Sequence, residues 1–452
     1  MSLLDITIAF AILISALSGM ILLIYLDQQW LLIEPIRLAA SSKIHQIIGQ
    51  ERQLAHNNFD AVVSTTTSDG IYTEKISESL LKNDLKQIEV ELSWPSQGFL
   101  RAGHLSEVAT VADWSGQLAN PTCHITHSQF NLSGSLMLSA STTATGVEAR
   151  NDIVYLTADS PIKSKSDFYI INASDKDHPI IISEIDTGPG LMALAVHDNY
   201  AYVANTSING QLQIIDIRDV HHPVLLKAYK LPGNYGDSGS VGNSIYYHQG
   251  YIYLGLKKSS TTELHIIEVS DPTTPKEVGQ WEANTTIHSI IANDNLVYIA
   301  SPDNSELRIL DAHDFSHISE IANFNAPGGS GNGKSLYQDG ETIYLGRTFG
   351  NSEFSILDVK NDDKNVLKVS NNSSISLKTS VEDILVASTT AFLATLDPAR
   401  QFQIWNVSDQ SKPIFQDSLQ LPASPVALAC DGQSIFVALA SSTALMIISQ
   451  AQ

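Results

Sequence analysis

Apolar positions follow three different rhythms along this chain. From Ile6 to Leu26 they are continuous, with no charge between Asp5 and Asp27. That run is long enough to cross a bilayer as a helix. Beyond it, Leu31, Leu32, Ile36, Leu38, Ile44, Ile47, Ile48 and Leu54 recur at helical spacing, which predicts one helix reaching Asn57-Asn58, kinked at Pro35. Residues 59–120 are polar and strand-like. Gln87–Trp94 alternates polar and apolar before Pro95, and Val108–Trp114 reads as a second strand.

From residue 121 onward the rhythm is a repeat. An apolar-aromatic-apolar-small strand recurs seven times, at Val154-Tyr155-Leu156-Thr157, Ala201-Tyr202-Val203-Ala204, Ile252-Tyr253-Leu254-Gly255, Val297-Tyr298-Ile299-Ala300, Ile343-Tyr344-Leu345-Gly346, Ala391-Phe392-Leu393-Ala394 and Ile435-Phe436-Val437-Ala438. A second strand follows each (FYIIN, LQIID, LHIIE, LRILD, FSILD, FQIWN, LMIIS), and several units then show a turn and a proline. Four short strands every ~45 residues predict propeller blades. The seventh unit, from Pro425, has room for only three strands. Gln129–Ala140 is the expected fourth, closing the ring and removing an open sheet edge.

Two family resemblances follow from these residues. The repeat wording, as in IIDIRDVHHPVLLKAYKLPG, resembles the LVIVP repeat family of β-propellers. The first 58 residues resemble type IV pilins and pseudopilins, whose mature chains carry an acid at the fifth position inside an apolar start. That family usually has Glu where Asp5 stands and Phe where Met1 stands. The fragments VELSWPSQG and VADW are similar to strand endings of minor pilins. The resemblance implies that Asp5 pairs with a neighbouring subunit's terminal amine. It also implies that Ile6, Phe10, Leu13, Leu17 and Leu22 pack in a filament core.

Charge changes the picture by exclusion. Acids outnumber bases 48 to 26, for a net charge of −22. So few scattered cations assemble no nucleic-acid surface. Residues 326–335, APGGSGNGKS, match a phosphate-binding loop through Gly328, Gly333, Lys334 and Ser335. A hairpin pattern follows where a helix is needed. A sister stretch, PGNYGDSGSVGNS, puts Gly242-Asn243-Ser244 at the corresponding place, so the match is taken as an inter-blade crossing and no nucleotide site. The acidic pairs Asp175/Asp177 and Asp362/Asp363 are weak Ca²⁺ candidates, and turn chemistry accounts for them equally well. No helical H-x-x-x-H pair and no nucleophile elbow is present. The two cysteines, Cys123 and Cys430, come close if the ring closes as above, which allows a disulfide. Two free thiols on separate blades is the other reading.

The sequence therefore predicts a mainly β chain. A long N-terminal helix (1–58) and a small pilin-like β head (59–120) precede a seven-bladed β-propeller (121–452). The expected role is a non-enzymatic subunit of a pilus-like surface filament, reached through the membrane. Its partners would be itself or other pilins and an unknown surface ligand, with no nucleic acid. A monomeric membrane-anchored propeller is the alternative.

Overall fold

Period-two strands dominate the computed structural model, which describes residues 40, 43–44, 47–48, 51, 62–69, 71–82, 85–95, 102–112, 123, 125 and 129–450. The last span has short gaps at 140, 160–164, 189, 234–239, 294, 304, 328–330, 349 and 362–365. Two compact units result, Met1–Gln117 and Leu118–Gln452.

In the first unit, Thr65–Asp69, Tyr72–Lys82, Leu85–Trp94 and Gly103–Ala112 form an antiparallel meander in sequence order. Alternation puts Ile88, Val90, Leu92 and Trp94 on one face, against the helical residues Ala40, Ile44, Ile47 and Ile48. Steps of three and four residues bring those side chains onto one helix face.

The expected fold class needs correction here. The described residues are mainly β, in eight four-stranded sheets. Helical positions among them fall only between residues 40 and 51, and no described helix is long and apolar enough to cross a membrane. The described residues therefore show no long N-terminal helix. The physical reason is that the spacing of Ala40, Ile44, Ile47 and Ile48 specifies a face to cover a sheet, and a face sets no length. Asp5, Ile6, Phe10, Leu13, Leu17 and Leu22 lie outside the described residues.

In the second unit, seven sheets each hold four strands. Six are simple meanders, beginning at Thr143–Arg150, Leu191–His197, Gly242–His248, Ser289–Ala292, Gly333–Asp339 and Val381–Ala387. The seventh begins at Pro425–Asp431, and Phe130–Met137 supplies its outermost strand by pairing antiparallel with Thr443–Gln450. First strands touch first strands of adjoining sheets in a closed series, and the last touches the first again. These strands therefore surround the axis of a seven-bladed ring.

Each second strand carries the aromatic of the repeat, and the blades bury it against their neighbours. Tyr155, Tyr202, Tyr253, Tyr298, Tyr344, Phe392 and Phe436 are all at most 4% exposed. Burying one aromatic of this size contributes about 1.5–3 kcal/mol.

In six of the seven blades a second repeated device ties the third strand to the end of the fourth. The residue just before the third strand accepts a backbone N–H beyond the fourth. The pairs are Asp167 with Thr187 (2.9 Å), Gln211 with Leu231 (3.1 Å), Glu263 with Ala283 (3.1 Å), Glu306 with Ala326 (2.8 Å), Glu353 with Leu377 (2.8 Å) and Gln401 with Leu421 (3.1 Å). A buried N–H that loses such a partner costs about 1–3 kcal/mol.

Candidate functional site: the central channel

The inner strands aim side chains at the axis through a repeated irregularity. Strand register slips at Thr145, Met192, Asn243, Lys334, Glu382 and Val426, each a single extra residue in its inner strand. A bulge of this kind turns its side chain out of the pleat. In the fourth blade His288 takes this place just ahead of the inner strand, its N–H bonded to the Ala300 carbonyl at 2.9 Å. All seven residues are half-buried, while Ala144, Leu191, Gly242, Ile287, Gly333, Val381 and Pro425, one step earlier, are buried. The seven form one rim of the channel.

That rim has two arcs. Asn243, His288, Lys334 and Glu382, on four consecutive blades, are polar. Val426, Thr145 and Met192 are less so, and the Thr145 hydroxyl is already donated to the Leu191 carbonyl at 2.7 Å. Lys334 Nζ meets Glu382 of the next blade at 3.2 Å. Burial, and then the Lys334 and Lys257 cations, push the His288 imidazole down to about 4, so it is neutral at pH 7.

Below the rim, strand register defines two further layers. Opposite the small residue of each repeat stand Gly146, Ala193, Ser244, Ser289, Ser335, Asp383 and Ala427. Opposite the repeat aromatic stand Glu148, Ala195, Tyr246, Ile291, Tyr337, Leu385 and Ala429. Each layer thus has one carboxylate. Asp383 accepts the Leu428 and Ile384 backbone N–H groups at 2.7 and 2.9 Å. Burial pushes its carboxyl up to about 7 against those bonds, with Glu382 adding to the rise and Lys334 opposing it. Glu148 is likewise pushed up to about 7, by burial and then by Asp383, with Arg150 opposing. Burial, and then the Glu148 charge, raise the Tyr246 phenol. Groups on blades one, three and six therefore share one electrostatic environment.

Lys334 was singled out by the sequence as part of a phosphate-loop match. Gly333, Lys334 and Ser335 open a β-strand, and Gly328 lies outside the described residues. A Cβ on Gly333 would lie 2.2 Å from the Glu306 carbonyl oxygen of the preceding blade, and one on Gly242 would lie 2.8 Å from the Gln211 carbonyl oxygen. The following serines reach the next blade, Ser244 donating to the Ile287 carbonyl at 3.0 Å and Ser335 to the Val381 carbonyl at 3.4 Å. Their hydroxyls fit because the opposing repeat positions are Gly255 and Gly346, where a Cβ would collide with them at 2.3 and 2.1 Å. Glycine and serine here serve blade docking, which accounts for both occurrences of the motif.

The remaining candidates fall elsewhere. Asp175 accepts the Asp177 N–H at 3.0 Å and meets His178 Nδ1 at 3.1 Å. That turn recurs at Asp219–His222 and Asp314–His317, so its chemistry is that of a chain reversal. Asp362 and Asp363 lie outside the described residues, and no cluster of three metal-ligating side chains occurs among the described ones. Cys123 and Cys430 form a disulfide, Cα to Cα 5.3 Å and 307 residues apart in sequence. Sequence reasoning did not single out Glu148, His288, Glu382 or Asp383. A signal existed, since each is a polar side chain at or within three places of the inner-strand slip, but the slip itself becomes visible only in the register.

A closed ring of seven four-stranded blades around a lined channel defines a β-propeller. The chain belongs to the Beta propeller domain family, which matches residues 145–391, more than half of it. Among solved structures, selenomethionine-substituted virginiamycin B lyase from Staphylococcus aureus is similar with a TM-score of 0.52 and 14% identity, over 72% of this chain and 100% of that one. A chain of the mitotic checkpoint complex is similar with a TM-score of 0.51 and 13% identity, over 74% and 97%. At such identities the likeness is one of fold alone. No curated protein matches the sequence.

Proposed function

We propose that the propeller is the outward binding domain of a non-enzymatic, pilin-like surface subunit, with the LVIVP-type repeat as its scaffold. The observation that carries this reading is the disulfide joining Cys123 to Cys430. Structural disulfides persist in oxidising spaces outside the cytoplasm. The uncharged run Ile6–Leu26 supports it, because such a run suits lipid or an apolar assembly core. Asp5 at its edge is costly there unless paired, and a neighbour's terminal ammonium is a fitting partner. Loops and channel rims on a rigid scaffold commonly carry recognition, which gives the propeller its part.

The test is Asp5→Ala in the producing cell, followed by shearing of surface filaments and fractionation. The expected result is loss of the protein from the sheared fraction and its retention in the membrane. Undiminished recovery in filaments would overturn the assembly role. Retention of the unaltered protein in the membrane alone would favour a monomeric anchored propeller.

A further inference from the structure

Seven Asn-x-Ser/Thr triplets occur in the second unit, beginning at Asn131, Asn172, Asn205, Asn284, Asn371, Asn372 and Asn406. Such a triplet is the acceptor pattern for an N-linked sugar. The folded chain tolerates a sugar only on a carboxamide that faces solvent and holds no bond the fold uses. That requirement sorts the seven. Asn205 is fully buried. Asn172 and Asn406 fold back onto their own turns, accepting the Ser174 and Ser408 backbone N–H groups at 2.9 Å each. Asn371 and Asn372 donate the side-chain nitrogen itself, to Ser374 Oγ at 2.9 Å and Gln410 Oε1 at 3.2 Å. Asn131 and Asn284 are exposed, and no described residue bonds either carboxamide.

Three features separate Asn284 from Asn131. Asn131 lies inside Phe130–Met137, opposite Ser449 in the ladder that closes the ring. Asn284 lies in the connection from Lys276–Trp281 to Ser289–Ala292, outside any strand. Its backbone is left-handed, with φ 57°, a conformation that asparagine adopts more readily than most residues. The turn is pinned from behind. The Asn284 N–H is shared by Glu263 at 2.9 Å and Glu282 at 3.2 Å, and the Ala283 N–H reaches Glu263 at 3.1 Å. The backbone is thus held while the side chain stands free. Thr286, the third member of the triplet, is half-buried, and its hydroxyl oxygen accepts the Lys258 N–H at 2.9 Å, which leaves the hydroxyl proton to donate. Of the seven triplets this one alone has an acid two places ahead, the exposed Glu282, which offers a charge contact to a cationic peptide groove.

We propose that Asn284 is an N-glycosylation site, with a polyprenyl-diphosphate-linked oligosaccharide as the sugar donor and a membrane glycosyltransferase of the producing cell as the catalyst. Asn284 Nδ2 bonds to the anomeric carbon of the sugar. The carbon–oxygen bond to the diphosphate breaks, polyprenyl diphosphate leaves with the electron pair, and one amide proton passes to a base of the transferase. The Thr286 hydroxyl is the group by which the acceptor is recognised. This rests on the reading of the propeller as an outward domain, since the transfer takes place outside the cytoplasm.

Tandem mass spectrometry of protein isolated from the producing cell and digested tests this. The peptide holding Asn284 should carry a sugar mass that releases sugar oxonium fragments, and those holding the other six asparagines should be bare. Asn284→Gln and, independently, Thr286→Ala should each lower that glycopeptide by about tenfold or more, whereas Thr286→Ser should retain it. Each variant is read on chain that keeps the Cys123–Cys430 disulfide, so misfolding does not mimic the loss. A bare Asn284 peptide in the parent protein, a sugar on Asn131 in its place, or a sugar that survives Thr286→Ala would overturn the assignment. Protease digestion of intact cells separates the causes of a bare Asn284. A propeller that is cut faults the site alone, and one that is protected faults the outward reading as well. Asp5→Ala protein held in the membrane should be glycosylated equally, so failure here is distinct from failure of filament assembly.

Discussion

At Arg347 a fully buried guanidinium joins two blades. It pairs with Glu306 of the preceding blade and donates to the Ser352 carbonyl at 2.9 Å; Arg347 is 0% and Glu306 1% exposed. Removing one partner leaves a buried charge uncompensated, which typically costs ~3–5 kcal/mol. Arg347→Met alone should therefore lower the denaturation midpoint sharply. Adding Glu306→Gln should recover much of the loss, since glutamine still accepts the Ala326 N–H and carries no charge. A double-mutant cycle by urea unfolding checks this, and additive losses would contradict it. Gly333→Ala should also destabilise, by ~1–3 kcal/mol, because its methyl would meet a neighbouring backbone carbonyl rather than a movable side chain. Lys334→Ala, one residue on, should cost under ~1 kcal/mol, since its ion pair is part-exposed.

Among the elements, the strand Phe130–Met137 bears the largest responsibility per residue. It covers what would be the free edge of the last blade, and Cys123, a few residues ahead of it, is bonded to Cys430 on that blade's inner strand. The chain-entropy account of so long a loop gives about 6 kcal/mol. Reduction should lower the melting temperature, with hydrogen exchange rising first in Phe130–Met137 and Thr443–Gln450. Uniform loss of protection across all blades would show that closure is not the weak link. The blade repeat was legible because burying an aromatic every ~45 residues leaves a periodic trace. The residues that staple third strand to fourth were legible in principle. Asp167, Gln211, Glu263, Glu306, Glu353 and Gln401 each stand one place before the repeated apolar strand, yet acid and amide share that role, so no single letter recurs. Channel side chains were not legible, because a one-residue slip reverses which side chain faces the axis. A helix over 1–58 was expected, whereas the described helical positions are those of a face buried on a sheet; apolar spacing defines such a face and gives no measure of length.

For the whole molecule, pH is the informative variable. Asp167 is pushed up to about 6, and Glu148, Glu263 and Asp383 to about 7, burial being the largest cause for each. Their unfolded values lie near 4. Between about pH 4 and 7 the folded state thus holds more protons than the unfolded chain, and stability falls as pH rises through that window. His288 acts in the opposite sense between about pH 4 and 6.5, being neutral when folded and protonated when unfolded. His197, lowered chiefly by burial, acts in the same sense as His288, yet four acids outweigh two imidazoles, and relief of the −22 net charge has the same sign as the acids. The melting temperature should therefore be higher at pH 5 than at pH 8, and a Glu148→Gln/Asp383→Asn double variant should narrow the difference. A higher melting temperature at pH 8 would contradict the argument.

The borrowed strand also imposes an order in time. Phe130–Met137 leaves the ribosome some 300 residues before Thr443–Gln450 exists to receive it. During synthesis it must wait without its partner while six blades form behind it, and Cys123 waits with it as a free thiol. Its burial pattern, BeeiBeie, leaves Leu132 and Met137 exposed beside Asn131 and Ser135. Thr443–Gln450 thus completes a sheet whose outermost strand was made long before it, and a chain lacking that strand would leave Phe130–Met137 unpaired.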